Sequence, residues 1–395
     1  MSNSTTSTAH RQPRLIAFYL PQFHPIPEND RWWGKGFTEW TNVTKAKPLF
    51  PGHYQPHLPS ELGFYDLRVP ETRQAQAALA REYGIAGFCY FHYWFGGGRR
   101  LLERPFDEVL ASGRPDFPFC LCWANESWSR RWDGVEEDVL IQQEYDAADD
   151  LRHIRWLVKA FRDERYIRVA GRPLFLIYRA GRLPTPAQTA AMWREEAHRA
   201  SVGDILLASV ETDFPPPDPA RFGFDAAVEF QPNWHYQGEP LRKGTGWRVL
   251  RRLGLSSAAY ETHYVFDYAT IVERMLRKEA PPYRRFPCVT PSWDNSARRA
   301  AHATIYKDAT PEIYRRWLQA VIEQSVPAYP EDNVIFINAW NEWAEGNHLE
   351  PCQKWGRAYL EATRQALVAA QGGQPRAQVE PQATRPPLSR ATSAR

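Results

Sequence analysis

Eight short runs of apolar, β-favouring residues recur along the chain, and most are continuous rather than alternating. Continuous apolar runs are typical of strands that a parallel sheet buries on both faces. The runs cover residues 15–20, 85–91, 118–123, 174–178, 205–210, 226–230, 288–291 and 334–339. This pattern predicts eight buried parallel strands.

Stretches with helical periodicity lie between most of these runs. They cover residues 71–83, 106–111, 149–164, 187–200, 268–278, 312–323 and about 356–370. Alternating strands and helices indicate right-handed βαβ units, and eight such units in a chain of this length predict an α/β protein with a (β/α)8 TIM barrel. A doubly wound open sheet is the main alternative, but no glycine-rich phosphate loop follows the first strand.

The two polar ends of the chain lack the apolar residues that would offset the entropy lost on ordering. We therefore predict a disordered tail at residues 1–13, one TIM-barrel domain at residues 14–370, and a second disordered tail at residues 371–395. Two long connections, residues 29–60 and 231–267, should lie over the C-terminal mouth of the barrel. TIM barrels build their active sites at that mouth.

Charge and cysteine content exclude several kinds of partner. The 49 basic and 46 acidic residues give a net charge of +3, so we expect neither a nucleic-acid partner nor membrane insertion. The N-terminus lacks the apolar segment of a signal peptide. The five cysteines show no disulfide or zinc spacing, which favours reduced thiols in a cytoplasmic protein. We therefore expect no metal and no cofactor.

Aromatic residues make up 14% of the chain, including 16 Trp and 18 Tyr, and many lie among Gly, Pro, Asn and His. Their flat faces suit the C–H surfaces of sugar rings, but a large barrel core needs large side chains as well. Composition alone leaves both interpretations open.

Polar and aromatic residues cluster at the ends of most predicted strands. Carboxylates, amides and indoles that converge in one barrel mouth indicate an oligosaccharide or polysaccharide substrate. The residues predicted to contact it are Tyr19, His24, His53, Tyr90, His92, Trp94, Asn125, Glu126, Gln231, Trp293, Asp294, Asn341 and Trp343.

Glu342 and Glu345 are the candidate catalytic residues. Hydrolysis of a glycosidic bond requires one group to protonate the leaving oxygen and another to act on the opposite side of the ring. Crowding would raise the pKa of one of the two glutamates, which suits an acid beside a base. The alternative is that one of them caps or salt-bridges the last helix. Their aromatic and amide neighbours, Trp340, Asn341 and Trp343, favour the catalytic role.

Several other segments allow two interpretations. Glu126 could be an acid/base that closes a barrel strand, or it could pair with Arg130 or Arg131. Trp293 to Asn295, followed by Arg298 and Arg299, could bind a phosphate or an acidic sugar, or could form a solvated turn. An Asp-x-Asp pair at a strand end is absent, which counts against a metal-dependent nucleotide-sugar transferase.

Seven stretches resemble the WbsX-like proteins, which are similar to glycoside hydrolase family 99, the endo-α-mannosidase group. They are AFYLPQFHP at 17–25, GFTEWTNV at 36–43, HYQP at 53–56, GFCYFHYWF at 87–95, WANE at 123–126, PSWDN at 291–295 and NAWNEW at 338–343. The resemblance runs in order from about residue 14 to about residue 370, and it adds Trp40 to the predicted substrate contacts.

The resemblance implies a TIM barrel that acts on α-linked, mannose-like glycans. It implies a retaining mechanism without a covalent glycosyl-enzyme, in which Glu342 assists the sugar's own 2-hydroxyl in attacking the anomeric carbon. Glu345 would serve first as acid and then as base. The chain carries Ala344 where the mannosidases often carry His, which affects the expected substrate.

Three functions follow for this chain. The first is a retaining glycosidase or transglycosylase of cell-surface polysaccharide metabolism. The second is a glycosyltransferase of polysaccharide biosynthesis, of the O-antigen or lipopolysaccharide type, because WbsX-like proteins accompany surface-polysaccharide genes and are commonly named so. The third is a non-catalytic glycan-binding barrel, although a binding protein has no need of two adjacent acids.

Overall fold

A single sheet of parallel strands forms the centre of the protein in a computed structural model. The residues that the structure describes are 13–129, 138–241, 246, 249, 252, 257–325 and 333–370. The central strands are β1 (Arg14–Tyr19), β2 (Ile85–Trp94), β3 (Phe119–Trp123), β4 (Arg172–Ile177), β5 (Leu206–Glu211), β6 (Ala226–Glu229), β7 (Arg285–Phe286), β8 (Cys288–Val289) and β9 (Val334–Ile337).

The sheet closes into a barrel through a strand that is split in two. The strands are hydrogen-bonded in the order β7-β6-β5-β4-β3-β2-β1-β9-β8. Only Pro287 separates β7, which pairs with β6, from β8, which pairs with β9. Proline lacks an N–H to donate to a ladder, so the chain changes neighbours there. The predicted TIM barrel is confirmed, and one of its strands is divided into β7 and β8.

Helices alternate with most of the strands. They are α1 (Pro27–Trp33), α2 (Glu39–Lys45), α3 (Pro70–Glu82), α4 (Arg104–Ser112), α5 (Ala147–Phe161), α6 (Pro186–Arg199), α7 (Ala259–Thr262), α8 (Tyr268–Leu276), α9 (Pro311–Ser325) and α10 (Ala358–Ala370). Proline opens α3 and α6, where its fixed φ suits a first helical turn. Asp146 caps α5 by accepting the Asp149 N–H at 2.9 Å, which supplies a partner for a free helix-end donor.

The long connection at residues 29–60 contains most of α1 and all of α2, which the sequence pattern did not predict. The connection at 231–267 holds α7 and the strand Tyr264–Asp267, but residues 242–256 lie largely outside the described part. Short strands outside the central barrel are Arg100–Leu101, Trp128–Ser129, Val139–Ile141, Arg168–Val169, Tyr264–Asp267, Thr304–Lys307, Asn341–Glu342 and Asn347–His348.

The core fills the barrel and the space beneath the helices. Every residue of β1 after Arg14 is buried, as is every residue of β3, which accounts for their continuous apolar sequence. All five cysteines are buried free thiols. Within the described ranges, no helix has the length and apolarity needed to cross a membrane. The tails at 1–12 and 371–395 lie outside the described residues.

Candidate active site

A cavity of about 880 Å³ lies at the carboxyl ends of the barrel strands. Charged residues on its wall include the cluster of Glu342, Glu345 and Arg298 and the pair of Glu126 and Arg179. Aromatic residues that share the wall are Trp33, Phe91, Tyr93, Trp128, Tyr178, Phe214, Phe230, Trp234, Tyr236, Tyr264 and Trp293. Such a mixture of apolar faces and convergent polar groups suits a ligand that has both characters.

A tight hairpin carries both candidate glutamates. After β9 the chain forms the strand Asn341–Glu342, which pairs antiparallel with Asn347–His348. A 3-10 turn, Trp343–Glu345, joins the two strands, and Gly346 follows it with φ of 57°. A Cβ at Gly346 would lie 3.0 Å from Asp294 Cβ. Glycine is therefore required both by the left-handed backbone and by the close approach.

Arg298 brings three carboxylates together. Its Nη2 lies 3.3 Å from Glu342 Oε2, and its Nη1 lies 2.5 Å from Glu345 Oε1. Its Nε and Nη2 also donate to Glu39 Oε2, at 3.1 and 3.0 Å. Glu39 belongs to α2 and is fully buried. One guanidinium therefore faces three acidic side chains, which leaves an excess of negative charge when all are ionised.

The cluster perturbs the pKa of each member of the candidate pair. Burial, followed by the charge of Glu345, raises the pKa of Glu342 to about 8. Burial also raises the pKa of Glu345, against the opposing effect of Arg298. Burial lowers the pKa of Arg298, but Glu39, Glu345 and Glu342 outweigh it and raise that pKa above its usual value. Coupled carboxyls titrate as a pair, and the raised pKa values favour retention of one proton by the pair, which would place an acid beside a carboxylate.

Asp294 and His53 support the cluster from behind. The Asp294 N–H donates to the Glu345 carbonyl at 2.6 Å, and the Asp294 side chain caps the turn that leads to Arg298. Its carboxylate accepts from His53 Nε2 at 2.6 Å and from Gln55 Nε2 at 2.8 Å. His53 Nδ1 accepts a backbone N–H, so Nε2 carries the proton. Both predicted residues line a separate cavity of about 80 Å³.

Glu126 and Trp293 are the predicted substrate contacts that lie on the wall of the large cavity. Glu126 Oε1 accepts from Arg179 Nε at 2.8 Å; the partners weighed earlier, at 130–131, lie outside the described residues. The Asn125 side-chain amide forms two hydrogen bonds with the Arg179 backbone. Its oxygen accepts the Arg179 N–H at 2.7 Å, and its nitrogen donates to the Arg179 carbonyl at 2.9 Å.

The other predicted aromatic residues lie behind the cavity wall and are tied to buried acceptors. The indole N–H groups of Trp40, Trp94 and Trp343 donate to the Tyr65 carbonyl at 2.8 Å, Asp149 Oδ2 at 2.7 Å and Glu350 Oε2 at 2.6 Å. Tyr19 donates to Gln76 at 2.7 Å, and the ring of Tyr90 packs 4.4 Å from that of Tyr19. These residues give the mouth its shape.

The remaining predicted polar residues are also buried away from the cavity wall. Burial lowers the pKa of His24 to about 4 and that of His92 to about 3. Gln231 donates to the Cys288 carbonyl at 3.2 Å. The Asn341 amide bonds both backbone groups of Leu20, accepting its N–H at 2.8 Å and donating to its carbonyl at 3.0 Å.

The sequence pattern does not predict Glu39. It indicates that Arg298 is either a ligand of a phosphate or an acidic sugar or part of a solvated turn. Glu39 lies in the GFTEW stretch, but no local pattern indicates its partner 259 residues away. Tyr93 and Gln22 also reach the cavity wall, joined by a 3.1 Å hydrogen bond. Among the described residues, no three His, Cys, Asp or Glu side chains are grouped as metal ligands.

Sequence comparisons relate residues 15–363 to the family model described as Glycosyltransferase WbsX. A protein named WxcX from Xanthomonas campestris pv. campestris (strain B100) is 48% identical over 357 residues, which cover 90% of this chain and 50% of WxcX. The homologous protein of strain ATCC 33913 matches equally. The chain thus spans about half the length of the curated relatives it matches.

Structural comparisons give the same fold at low sequence identity. A glycoside hydrolase-like protein matches with a TM-score of 0.56 and 14% identity, over 90% of this chain and 94% of its own. The family 99 endo-α-mannosidase of Bacteroides thetaiotaomicron, in complex with bis-Tris propane, matches with a TM-score of 0.54 and 16% identity, over 91% and 98%. Likeness at this level shows the barrel architecture alone.

Proposed function

The chain belongs to the glycosyltransferase WbsX family, and we propose that it is a carbohydrate-active enzyme that acts on α-linked, mannose-like glycans of cell-surface polysaccharides through Glu342 and Glu345. One observation carries the proposal. Both carboxyl groups lie on the wall of the large cavity while they share the Arg298 guanidinium.

The shared guanidinium and the burial suit an acid beside a base. Ionising both groups would cost considerable free energy in a buried cluster that already holds Glu39, so we expect the pair to retain one proton. A retained proton is what a glycosidic oxygen needs as it leaves, and the ionised partner can accept a proton from the sugar. The resemblance implies that Glu345 is the acid/base and that Glu342 is the base.

The proposed reaction has two steps. In an α-mannoside the 2-hydroxyl is trans to the leaving group, so its oxygen can attack the anomeric carbon as Glu342 takes the hydroxyl proton and Glu345 protonates the departing oxygen. A 1,2-anhydro sugar results. Glu345 then removes a proton from water or an acceptor hydroxyl, whose oxygen attacks the anomeric carbon. This attack opens the three-membered anhydro ring while Glu342 returns a proton to the 2-oxygen. Two inversions retain the α configuration.

Variants of each glutamate test these roles. We expect Glu342→Gln and Glu345→Gln each to lower kcat/KM by roughly 10²–10⁴-fold, the usual contribution of a general acid or base. An aryl α-glycoside with a good leaving group should restore turnover more in Glu345→Gln, because that substrate needs little protonation. Steady-state kinetics on plain and activated glycosides measure both effects.

Glu312→Gln is the matched control, because Glu312 lies in the first turn of α9 and its carboxylate pairs with Arg315 on the same helix. It should leave kcat/KM unchanged. Wild-type turnover of an α-glycoside that neither active-site variant reduces would refute the assignment of the pair.

The family description favours a second candidate, a glycosyltransferase with a nucleotide- or lipid-linked donor. Arg298 and Arg299 lie on the cavity wall, where a diphosphate could bind. Arg298 already serves three carboxylates and Arg179 faces Glu126, so a diphosphate would have to displace these partners. Thermal stabilisation by a millimolar nucleoside diphosphate would favour the transferase, and no shift would weaken it.

A further inference from the structure

We propose that Glu39 is a positioning residue that makes the Glu342–Glu345 pair hold its proton, because it occupies the edge of Arg298 that would otherwise neutralise the pair. The inference rests on the proposed function for its catalytic consequence. The proton itself can be measured without any substrate.

Among the residues that the structure describes, Arg298 is the cation that pairs with Glu39. It is fully buried on α2 and does not lie on the wall of the large cavity. Its Oε2 accepts two N–H groups of Arg298, at 3.1 and 3.0 Å. Its Oε1 is buried and accepts no hydrogen bond from the residues that the structure describes. Glu39 therefore adds a charge that is only half compensated by hydrogen bonds.

Other charged or titratable groups around the pair do not replace this effect. They are Arg298, Arg299, Asp294, Tyr93 and Tyr178. Burial raises the pKa of both tyrosines, which keeps them neutral. The Asp294 carboxylate accepts hydrogen bonds from His53 and Gln55. Glu39 is thus the carboxylate that competes with the pair for Arg298.

Charge balance makes the competition consequential. One guanidinium and three ionised carboxylates would leave a net charge of about −2 in a buried cluster, and burying uncompensated charge is expensive. Keeping a proton reduces that charge. If Glu39 were neutral, Arg298 would offset one of the two remaining charges, and the pair would release its proton at a lower pH.

The test is an infrared titration of the protonated carboxyl band in the full chain. We expect wild type to show the band at neutral pH and to lose it on the alkaline side. In Glu39→Gln, which keeps the size of the side chain and an acceptor oxygen for Arg298, the midpoint should fall by roughly 1–3 pH units. Glu39→Asp keeps the charge one methylene further away, so its midpoint should lie between the two.

Two matched variants identify the band. Glu342→Gln should remove the pair's contribution. Glu350→Gln should remove that of another buried carboxyl, whose pKa burial raises to about 7 and which accepts from Tyr65, Gln76 and Trp343. Where the proposed function holds, the alkaline limb of kcat/KM should move with the infrared midpoint in the Glu39 variants.

Three results would overturn the role of Glu39. They are a wild type without the pair's protonated band at neutral pH, an equal midpoint in wild type and Glu39→Gln, and a midpoint in Glu39→Asp that lies at or above the wild-type value. The last comparison stands even if Glu39→Gln does not fold. Failure to turn over any glycoside would refute the proposed function and leave the order of midpoints intact.

Discussion

Most of the residues that the sequence predicts as substrate contacts do not line the cavity. Trp40, Trp94 and Trp343 donate their indole N–H groups to buried acceptors, as buried indoles generally must. Aromatic surface facing the cavity comes instead from residues such as Trp33 and Trp234. Direct sugar contact by the first three stays a prediction, while their observed hydrogen bonds fix the shape of the mouth.

The coupled carboxyl pair predicts a bell-shaped pH profile for kcat/KM. Activity requires the singly protonated pair, so it should fall as the pH rises through the upper pKa of the pair, which burial and mutual repulsion raise, because Glu345 then has no proton to donate. It should also fall towards acid pH, where the pair takes up a second proton. Initial rates across both limbs measure the profile, and a rate that climbs steadily into the alkaline range would contradict it.

The hairpin that carries Glu342 and Glu345 depends on its attachment to the end of β1. Asn341 holds both backbone groups of Leu20 with one side-chain amide. Asp294 holds the turn at Glu345 through its backbone N–H. The Asn of the Asn-Glu-Trp motif therefore sets the position of the hairpin that carries the proposed catalytic pair relative to the barrel.

Asn341→Ala should destabilise the protein by roughly 1–3 kcal/mol, since it leaves the buried N–H and carbonyl of Leu20 without partners. It should also lower kcat more than it raises KM, because the hairpin loses its register against β1. Urea unfolding and steady-state kinetics check both effects. Gln142→Ala, at an exposed residue whose side chain donates to the Gln143 carbonyl at 3.4 Å, is the control and should change stability by less than about 0.5 kcal/mol.

At the scale of elements, the sequence predicted most of what continuous apolar runs can reveal. The strands that begin at Arg14, Ile85 and Val334 were found because burial on both faces removes polar residues from them. The division of one strand at Pro287 was not predicted, because it is visible only in the strand pairing: β7 pairs with β6, whereas β8 pairs with β9. Helix α2 was missed because its seven residues contain little apolar periodicity.

At the scale of the whole molecule, closure of the barrel creates the site. Glu39, Arg298 and Glu342 are far apart in the sequence and meet because the segments that carry them all lie at one mouth. Such a meeting could be predicted for Glu342 and Glu345, which are neighbours in sequence, but not for Glu39 and Arg298, whose pairing depends on how two long loops pack.

NMR spectroscopy of wild type with a panel of α-mannosyl and related α-glycosides, with and without sugar acceptors, tests the central claim most directly. We expect reducing sugar to appear first as the α-anomer, new glycosides to form where an acceptor replaces water, and both products to be strongly reduced in Glu345→Gln but not in Glu312→Gln. Initial release of the β-anomer, or equal turnover by wild type and Glu345→Gln, would contradict retaining catalysis by this pair.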